Sequence, residues 1–411
     1  MDVRITIGPA GGDIPAIPSK SAAHRLLIAG ALSGLDLTPY CDGLSRDITA
    51  TKECLTALLG EGCKGNSSPE ETPRRLPCGE SGSTLRFLLP VAGVLGERCA
   101  FHCEGRLPER PMEPYLQVLA EHGCRVDGHN PKNLWGKLTG GEFILPGNVS
   151  SQYVTGLLFA LPLAEEDSRI LVEGQLQSRP YVDMTLRVLK QAGVRVEEGV
   201  TDAGTVFAVP GGQTYRLPES ALAHIEGDWS NGAFWIVMDG LLQMKGVASR
   251  IRCTGLDPGS AQGDRAIAPL TEKIIHAGTD PVTIDVSDIP DLVPALALLA
   301  CGRPEGSRTD ITGAGRLRYK ESDRLRSVSS VLNGLGGEVT ELPEGLVIRS
   351  RGELTGGSAD SFGDHRIVMM AAASACISCG PVEITGAEAV EKSYPGFFRD
   401  YRELGGTAEP L

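Results

Sequence analysis

The stretch Arg318-Tyr-Lys-Glu-Ser-Asp-Arg-Leu-Arg-Ser-Val-Ser-Ser-Val-Leu-Asn-Gly-Leu-Gly-Gly-Glu-Val339 contains a charge cluster, an apolar helical pattern, a glycine stop and the start of a strand. Leu325, Val328 and Leu332 recur at helical spacing, and the glycines that follow end the helix. The charges therefore stand at a helix entrance. Unsatisfied N–H groups and the helix dipole favour an anion there.

The same order of helix, glycine and strand recurs along the whole chain, at intervals of roughly 60 to 85 residues, which indicates internal duplication. Its six copies are Ala57–Cys63, Val118–Val126, Val188–Val196, Ile274–Gly278, Val331–Val339 and Tyr401–Gly406. Because β-branched runs alternate with these helices, the pattern predicts an α/β fold.

The length of 411 residues predicts two domains, since a single core rarely grows that large. Breaker-rich stretches at residues 8–14 and 209–227 are the expected places where the chain crosses between them. One domain would then comprise residues 1–13 and 226–411, with the N-terminal strand joined to the C-terminal half. The other would comprise residues 14–225.

Composition excludes several classes of protein. The net charge of −13 and the pI near 5.1 disfavour nucleic-acid binding. The 11 cysteines are odd in number and scattered, which favours a reducing, cytoplasmic setting over a disulfide framework. The pair Cys376 and Cys379 has no second pair nearby, so we interpret it as buried thiols and not as a metal site. No apolar run has the length of a membrane span, and no signal peptide is recognised.

Polar residues precede predicted helices repeatedly, in both halves of the chain. One such entrance is typical of any capped surface helix, so the argument depends on the repetition. The entrances are Pro18–Arg25, Cys78–Arg86, Ser150–Gln152, Ser178–Tyr181, Glu226–Asn231, Ser287–Asp291, Gly363–Arg366 and Lys392–Phe398. Together they predict an anion-binding site within an acidic protein.

In this order the motifs Lys-Ser-x-x-x-Arg, Gly-x-x-Gly-x-x-x-Arg, Ser-Ser-Gln, Lys-Glu-Ser-Asp-Arg and Gly-Asp-His-Arg resemble the 5-enolpyruvylshikimate-3-phosphate synthases of the enolpyruvyl transferase family. The resemblance runs nearly end to end, from Lys20 to Lys392. It implies a two-domain inside-out α/β barrel with three βαβαββ repeats in each domain, which closes over its substrates. It also implies a monomer that needs no metal or organic cofactor and has no nucleic-acid or membrane partner.

The implied reaction transfers the enolpyruvyl group of phosphoenolpyruvate to the 5-hydroxyl of shikimate 3-phosphate and releases phosphate, on the shikimate pathway to chorismate and the aromatic amino acids. The resemblance implies that shikimate 3-phosphate is bound by Lys20, Ser21, Arg25, Ser150, Ser151, Gln152, Ser178, Asp291 and Lys320. It implies that phosphoenolpyruvate is bound by Lys20, Gly82, Arg110, Gln152, Arg324, Arg366 and Lys392. The expected catalytic residues are Asp291, Glu321 and Lys20. The domain with both termini would carry the phosphoenolpyruvate and catalytic residues, and the middle domain would bind shikimate 3-phosphate.

Two departures and two alternatives accompany this interpretation. Glu80 and Arg316 stand where family members often have Asn. The first alternative is the sister transferase that acts on UDP-N-acetylglucosamine, which carries a reactive cysteine in the loop before an Arg-Pro pair. Here Cys103 lies further back from Arg110 than that pattern requires. The second is an inactive ligand-sensing homologue, in which losses at the proton-transfer positions are expected.

Overall fold

The structure is a computed structural model that describes residues 1–40, 45–60, 72–148, 150–248 and 250–411. Backbone contacts divide the chain into two compact units. We call Met1–Ser19 with Glu226–Leu411 the terminal unit, and Lys20–Ile225 the middle unit. Within the described ranges, no helix has the length and apolarity that crossing a membrane requires.

Helices and strands alternate along the chain. The strands are β1 (Val3–Ile5), β2 (Gly12–Pro15), β3 (Arg74–Gly79), β4 (Cys99–Cys103), β5 (Cys124–Asp127), β6 (Lys132–Gly136), β7 (Gly141–Pro146), β8 (Ser168–Glu173), β9 (Glu197–Thr201), β10 (Gly204–Val209), β11 (Ile251–Thr254), β12 (Val282–Asp285), β13 (Arg308–Thr312), β14 (Glu338–Leu342), β15 (Gly345–Arg349), β16 (Gly357–Asp360), β17 (Val382–Thr385) and β18 (Glu409–Pro410). The α-helices are α1 (Lys20–Leu32), α2 (Arg46–Leu59), α3 (Gly82–Val94), α4 (Tyr115–Glu121), α5 (Ser151–Ala160), α6 (Arg179–Gln191), α7 (Ser220–Ala223), α8 (Trp229–Met244), α9 (Ile267–His276), α10 (Val293–Cys301), α11 (Arg324–Gly334), α12 (His365–Ala373) and α13 (Phe397–Glu403).

The first crossing between the units lies after Ser19, and not after residue 13 as expected. The glycine-rich segment that the sequence suggested as a linker contains β2, which pairs in parallel with β11 of the terminal unit. Beyond it, the Ser19 N–H donates to the Glu226 carbonyl at 2.8 Å, so both crossings lie side by side. Backbone pairing with a distant strand therefore extends the terminal unit past the predicted boundary.

Four sheets share one βαβαββ plan, in which a parallel pair continues into two antiparallel strands. In the middle unit the strand orders are β3-β4-β6-β5 and β7-β8-β10-β9. In the terminal unit the strand orders are β12-β13-β15-β14 and β16-β17-β1-β18. In the second of these sheets β1 occupies the position that β15 has in the first. The two-domain α/β prediction with repeated modules is confirmed.

The third expected repeat of each unit is incomplete among the described residues. The terminal unit has the pair β2 and β11 with helices α8 and α9, and the middle unit has α1 and α2. The first glycine stop, at residues 60–63, lies mostly outside the described ranges. The inside-out barrel stays a prediction.

Each unit is built around its own apolar core. In the middle unit α3 packs on α5, and all but one residue of α5 is buried. In the terminal unit α10 packs on α8 and α12, and every residue of α10 is buried. Helices that are apolar on all sides need such a central position. Because burying each large apolar side chain contributes about 1.5–3 kcal/mol, these helices hold their entrances firmly in place.

The modules determine where the helix entrances lie. The carboxyl ends of two parallel neighbours point the same way, and each leads into the next helix. The ends of β3, β4, β7 and β8 lead to the segments of Gly82, Arg110, Ser150 and Ser178. The ends of β12, β13, β16 and β17 lead to those of Asp291, Arg324, Arg366 and Lys392. Many predicted site residues therefore follow the carboxyl end of a parallel strand.

Candidate active site

Arg324 is the buried centre of a charge cluster in the terminal unit. It is the first residue of α11, and its side chain is only 1% exposed. Its Nε donates to Asp364 Oδ2 at 2.9 Å, its Nη1 to Asp291 Oδ1 at 2.8 Å and its Nη2 to Glu321 Oε2 at 2.6 Å. Burial opposes its charge, but the three carboxylates outweigh burial and raise the pKa of Arg324 above its ordinary value. The guanidinium is therefore permanently charged.

Asp291 connects Arg324 to two further cations. It lies in the 3₁₀ helix Pro290–Leu292. Its Oδ1 is 3.5 Å from Lys320 Nζ, and its Oδ2 accepts a hydrogen bond from Arg366 Nη2 at 3.2 Å. Burial opposes ionisation, but the charges of Arg366, Lys320 and Arg324 outweigh it and hold the pKa of Asp291 well below its usual range. Asp291 is therefore a carboxylate at neutral pH, with three cations around it.

Asp364 ties the starts of two helices together. Its Oδ1 accepts from the Arg366 N–H at 2.9 Å and so caps α12, while its Oδ2 holds Arg324 and accepts from the Ser322 hydroxyl at 3.1 Å. Lys392 lies outside this cluster, and its Nζ donates to the carbonyl of Gly363 at 2.7 Å. The structure thus brings Asp291, Lys320, Glu321, Arg324 and Arg366 together and places Lys392 at the end of the 3₁₀ helix Ala387–Lys392, with its side chain on the Gly363 carbonyl.

A further buried acid, Asp264, lies in the 3₁₀ helix Gly263–Ala266. Burial raises the pKa of Asp264 to about 7, and the charge of Asp291 adds to this effect. At neutral pH the protein therefore favours a proton on Asp264 more than on Asp291, whose pKa is depressed.

Replacing Asp264 by Asn is expected to change how stability depends on pH. The folded wild type binds more protons than the unfolded chain between about pH 4 and 7, so its free energy of unfolding falls as the pH rises through that range. The variant lacks this titration and should gain about 2–4 kcal/mol relative to wild type between pH 4 and 8. Urea unfolding at several pH values measures the difference. If the free energy of unfolding changed with pH in the same way in both proteins, Asp264 would not have the raised pKa assigned to it.

In the middle unit, α1 begins at Lys20 and carries two of the predicted cations. Lys20 Nζ is 2.9 Å from Asp47 Oδ2 in the first turn of α2. Arg25 is buried, and its three donor groups bind the hydroxyl of Thr185 at 2.9 Å, the carbonyl of Ser21 at 2.6 Å and the carbonyl of Tyr181 at 2.8 Å. Burial lowers the pKa of Arg25 to about 10.

These acceptors leave the positive charge of Arg25 uncompensated. Among the described residues, no carboxylate forms an ion pair with its guanidinium. A buried cation surrounded by neutral acceptors is costly, and an anionic ligand would relieve the cost. An anionic ligand would therefore be favoured next to Arg25.

The turn before α3 brings two more arginines together at a glycine. Ser81 caps the helix by accepting from the Thr84 N–H at 3.2 Å. A Cβ atom at Gly82 would lie 2.6 Å from Nη1 of Arg86 and 2.8 Å from Nη1 of Arg110. The absence of a side chain at Gly82 is therefore what allows both guanidinium groups to approach the helix N-terminus.

The serines and Gln152 occupy neighbouring helix starts. Ser150 caps α5 by accepting from the Gln152 N–H at 3.3 Å, and Ser151 is its first residue. The Gln152 side chain accepts from Arg86 Nη1 at 2.9 Å and donates to the Ser83 hydroxyl at 3.0 Å. Ser178 stands at the N-cap of α6 with a φ of 56°. A left-handed serine is strained and is typical of functional sites.

Sequence reasoning missed the side chains that hold the predicted residues in place. Arg86, Asp364 and Ser322 lie inside quoted motifs, so their position beside predicted residues was a usable signal. Asp47, Asp264 and Thr185 lie in stretches without a motif, and only the fold brings them to the site. Of the two departures, Arg316 donates to the Ser287 carbonyl at 2.7 Å, and Glu80 lies against Gly105.

Comparison with known proteins identifies the family. The family model of EPSP synthase (3-phosphoshikimate 1-carboxyvinyltransferase) matches residues 6–401. A 3-phosphoshikimate 1-carboxyvinyltransferase from Clostridium kluyveri is 41% identical over 96% of this chain and 95% of its own length, and one from Clostridium acetobutylicum is 38% identical over 96% and 95%. The solved structure of EPSP synthase from Acinetobacter baumannii shares the fold, with a TM-score of 0.73 at 22% identity over 100% of this chain and 99% of that one. The chain therefore belongs to the EPSP synthase (3-phosphoshikimate 1-carboxyvinyltransferase) family, as its motifs predicted.

Proposed function

We propose that this chain transfers the enolpyruvyl group of phosphoenolpyruvate to the 5-hydroxyl of shikimate 3-phosphate. The observation that carries the proposal is the cluster around the buried Arg324, in which two partly buried carboxylates, Asp291 and Glu321, share that guanidinium and are set among further cations. Proton transfer and anion binding both need such an arrangement. The identity of the two substrates is inferred from the family to which the chain belongs.

The reaction proceeds by addition and elimination. The 5-hydroxyl oxygen forms a bond to C2 of phosphoenolpyruvate and gives up its proton, while C3 gains a proton and becomes a methyl group. The tetrahedral intermediate then loses a proton from C3, and the C2–O bond to phosphate breaks. The products are the enolpyruvyl ether and inorganic phosphate, and the proton balance closes within the site.

We assign the proton transfers to the two carboxylates. Asp291 accepts the proton of the 5-hydroxyl, since its charge is maintained by three cations. Glu321 exchanges a proton with C3, and its hydrogen bond from Arg324 orients the carboxylate. Each transfer typically contributes about 10²–10⁴-fold to the rate. Lys20 supplies a positive charge for both substrates.

The binding residues are those that the family resemblance implies, and their charges and hydrogen-bonding groups suit the two substrates. Shikimate 3-phosphate would be held by the buried cation Arg25 with hydroxyls and helix N–H groups, through Lys20, Ser21, Arg25, Ser150, Ser151, Gln152, Ser178, Asp291 and Lys320. Phosphoenolpyruvate would be held mainly by arginine forks, which match carboxylate and phosphate, through Lys20, Gly82, Arg110, Gln152, Arg324, Arg366 and Lys392. The middle unit thus supplies most contacts to shikimate 3-phosphate, and the terminal unit supplies the proton carriers.

Phosphate release on mixing the protein with both substrates tests the proposal. UDP-N-acetylglucosamine serves as the competing acceptor, and Asp291→Asn and Glu321→Gln serve as controls. We expect phosphate release from phosphoenolpyruvate when shikimate 3-phosphate is the acceptor and not when the nucleotide sugar is. Both variants should lose this release. Release only with the nucleotide sugar would transfer the assignment to the sister enzyme. Binding of shikimate 3-phosphate without turnover would instead favour a ligand-sensing role.

Replacing Gly82 by Ala is expected to raise the KM for phosphoenolpyruvate about tenfold or more, with little loss of stability. The new methyl group would displace the ends of two flexible arginine side chains, which the fold tolerates but the ligand does not. Steady-state kinetics with each substrate varied in turn measures the effect. Gly199→Ala is the matched control, because a Cβ there meets nothing within 4 Å. An unchanged KM would refute the role of this turn.

A further inference from the structure

Four buried polar side chains of the middle unit form one continuous hydrogen-bonded chain. His24 Nδ1 lies 2.7 Å from Thr51 Oγ1, Thr51 Oγ1 lies 2.6 Å from Thr84 Oγ1, and Thr84 Oγ1 donates to Ser81 Oγ at 2.7 Å. The four side chains belong to residues no more than 2% exposed. We call this set the hydroxyl chain. It passes through the apolar core from α1 through α2 to the entrance of α3.

The proton positions along the hydroxyl chain follow from its geometry. Each threonine has one hydroxyl proton, and that of Thr84 goes to Ser81. Thr51 must then donate to Thr84, which leaves His24 Nδ1–H as the donor to Thr51. This direction requires a proton on Nδ1, which the neutral Nδ1–H imidazole and the imidazolium both carry. Burial and the charges of Lys20 and Arg25 favour the neutral form, because they hold the pKa of His24 well below its usual range.

The two ends of the hydroxyl chain lie next to predicted ligand-binding groups. His24 and Thr51 each lie one helical turn after Lys20 and Asp47, so two polar links join α1 to α2 side by side. At the other end, Ser81 caps α3 directly before Gly82. The hydroxyl chain therefore connects the helix that carries Lys20 and Arg25 to the turn that receives Arg86 and Arg110.

Stability alone does not call for polar groups here. Valine has almost the volume of threonine, and apolar replacements of buried polar networks are often neutral or stabilising when all partners are removed together. What a fully bonded network adds is a fixed geometry. In this core it fixes the distance and rotation between α1 and α3.

We propose that the hydroxyl chain is a positioning device that aligns the Gly82 turn with Lys20, and that Thr51 and Thr84 are positioning residues for phosphoenolpyruvate binding. The inference rests on the proposed function for its ligand. Neither threonine touches the ligand; each acts through the helix entrance that it holds.

Steady-state kinetics of Thr51→Val, Thr84→Val and the double variant test the device. Each single variant should raise the KM for phosphoenolpyruvate about tenfold, and the double variant no further, since contacting residues in one network are not additive. The kcat should stay within about twofold of wild type, and Thr51→Ser should restore the KM. Thr271→Val is the matched control, a buried helical threonine of the terminal unit whose hydroxyl has no hydrogen-bond partner among the described residues. A KM shift no larger than that of Thr271→Val, or effects that multiply in the double variant, would overturn the proposal.

Amide hydrogen exchange of the free protein separates this inference from the proposed function. The peptide covering residues 78–88 contains the Thr84 N–H that Ser81 caps. Exchange there should be faster in Thr51→Val than in wild type or in Thr271→Val. The measurement needs no turnover, so a wild type without activity would refute the proposed function but leave this readout intact. Unchanged exchange in Thr51→Val would overturn the device.

Discussion

Replacing Asp291 by Asn is expected to lower kcat by about 10²–10⁴-fold, while the KM for either phosphorylated substrate stays near the wild-type value or falls. The amide keeps the shape of the side chain but cannot accept the proton of the attacking hydroxyl. It also removes one negative charge from among Arg324, Arg366 and Lys320, which makes the site more attractive to anions. A fall in kcat without a rise in KM is thus the signature of a base.

A matched variant distinguishes a chemical role from the loss of a buried acid. Asp239 is another buried carboxylate of the terminal unit, where it accepts hydrogen bonds from Arg250, Gln243 and the Ile251 N–H. Asp239→Asn should lower stability and leave kcat unchanged. Stopped-flow measurement of phosphate release gives the kcat of Asp291→Asn and that of Asp239→Asn. If Asp291→Asn retained more than about a tenth of the wild-type kcat, another group would be the base.

The helix entrances could be predicted from the sequence because capping is a local interaction. Asp228, Asp323 and Asp364 each accept a hydrogen bond from an N–H within three residues, as Ser81 and Ser150 do. A polar residue followed by an apolar helical pattern contains all of that information. The glycine stops were predictable for the same reason, since one left-handed residue ends a helix without help from elsewhere.

The partners of the charges could not be predicted in this way. The family resemblance implies that Arg324 binds an anionic substrate, but no sequence pattern indicated that carboxylates of the protein itself also surround it. Asp364 lies 40 residues away along the chain and Asp291 lies 33 residues away. No local pattern connects them, because the contact depends on the ends of three strands, β12, β13 and β16, that belong to two modules.

The segment Gly12–Pro15 shows the same limit for backbone structure. Its glycine and proline are typical of a linker, and only one of its four residues is buried. It is a strand because Ile251–Thr254 runs parallel to it, and the Arg252 side chain reaches Asp13 across 239 residues. Pairing with a distant strand therefore outweighs the local preference for an irregular structure. The same pairing places the segment in the terminal unit and so shifts the boundary between the units.

Replacing Arg324 by Met is expected to cause the largest loss of stability, about 3–5 kcal/mol at pH 8, because buried carboxylates lose the cation that they share. Such carboxylates bind protons more readily in the folded variant than in the unfolded chain. The loss should therefore shrink as the pH falls from 8 toward 5. In wild type the contribution of Asp291, whose pKa is depressed, is complete at neutral pH and is lost only as the pH falls below about 4.

Urea unfolding at pH 5 and pH 8 measures the difference, followed by the fluorescence of Trp229 and Trp235, which both lie in the terminal unit. Arg303→Met is the control. Arg303 is equally buried in the same unit, but it donates to the Thr309 hydroxyl and to the carbonyls of Arg308, Gly278 and Asp280. The free energy of unfolding lost in Arg303→Met should be the same at both pH values, because carbonyls and hydroxyls do not titrate between pH 5 and 8. A loss that is equally independent of pH in Arg324→Met would mean that the three carboxylates do not depend on this cation, and the electrostatic account of the site would then be wrong.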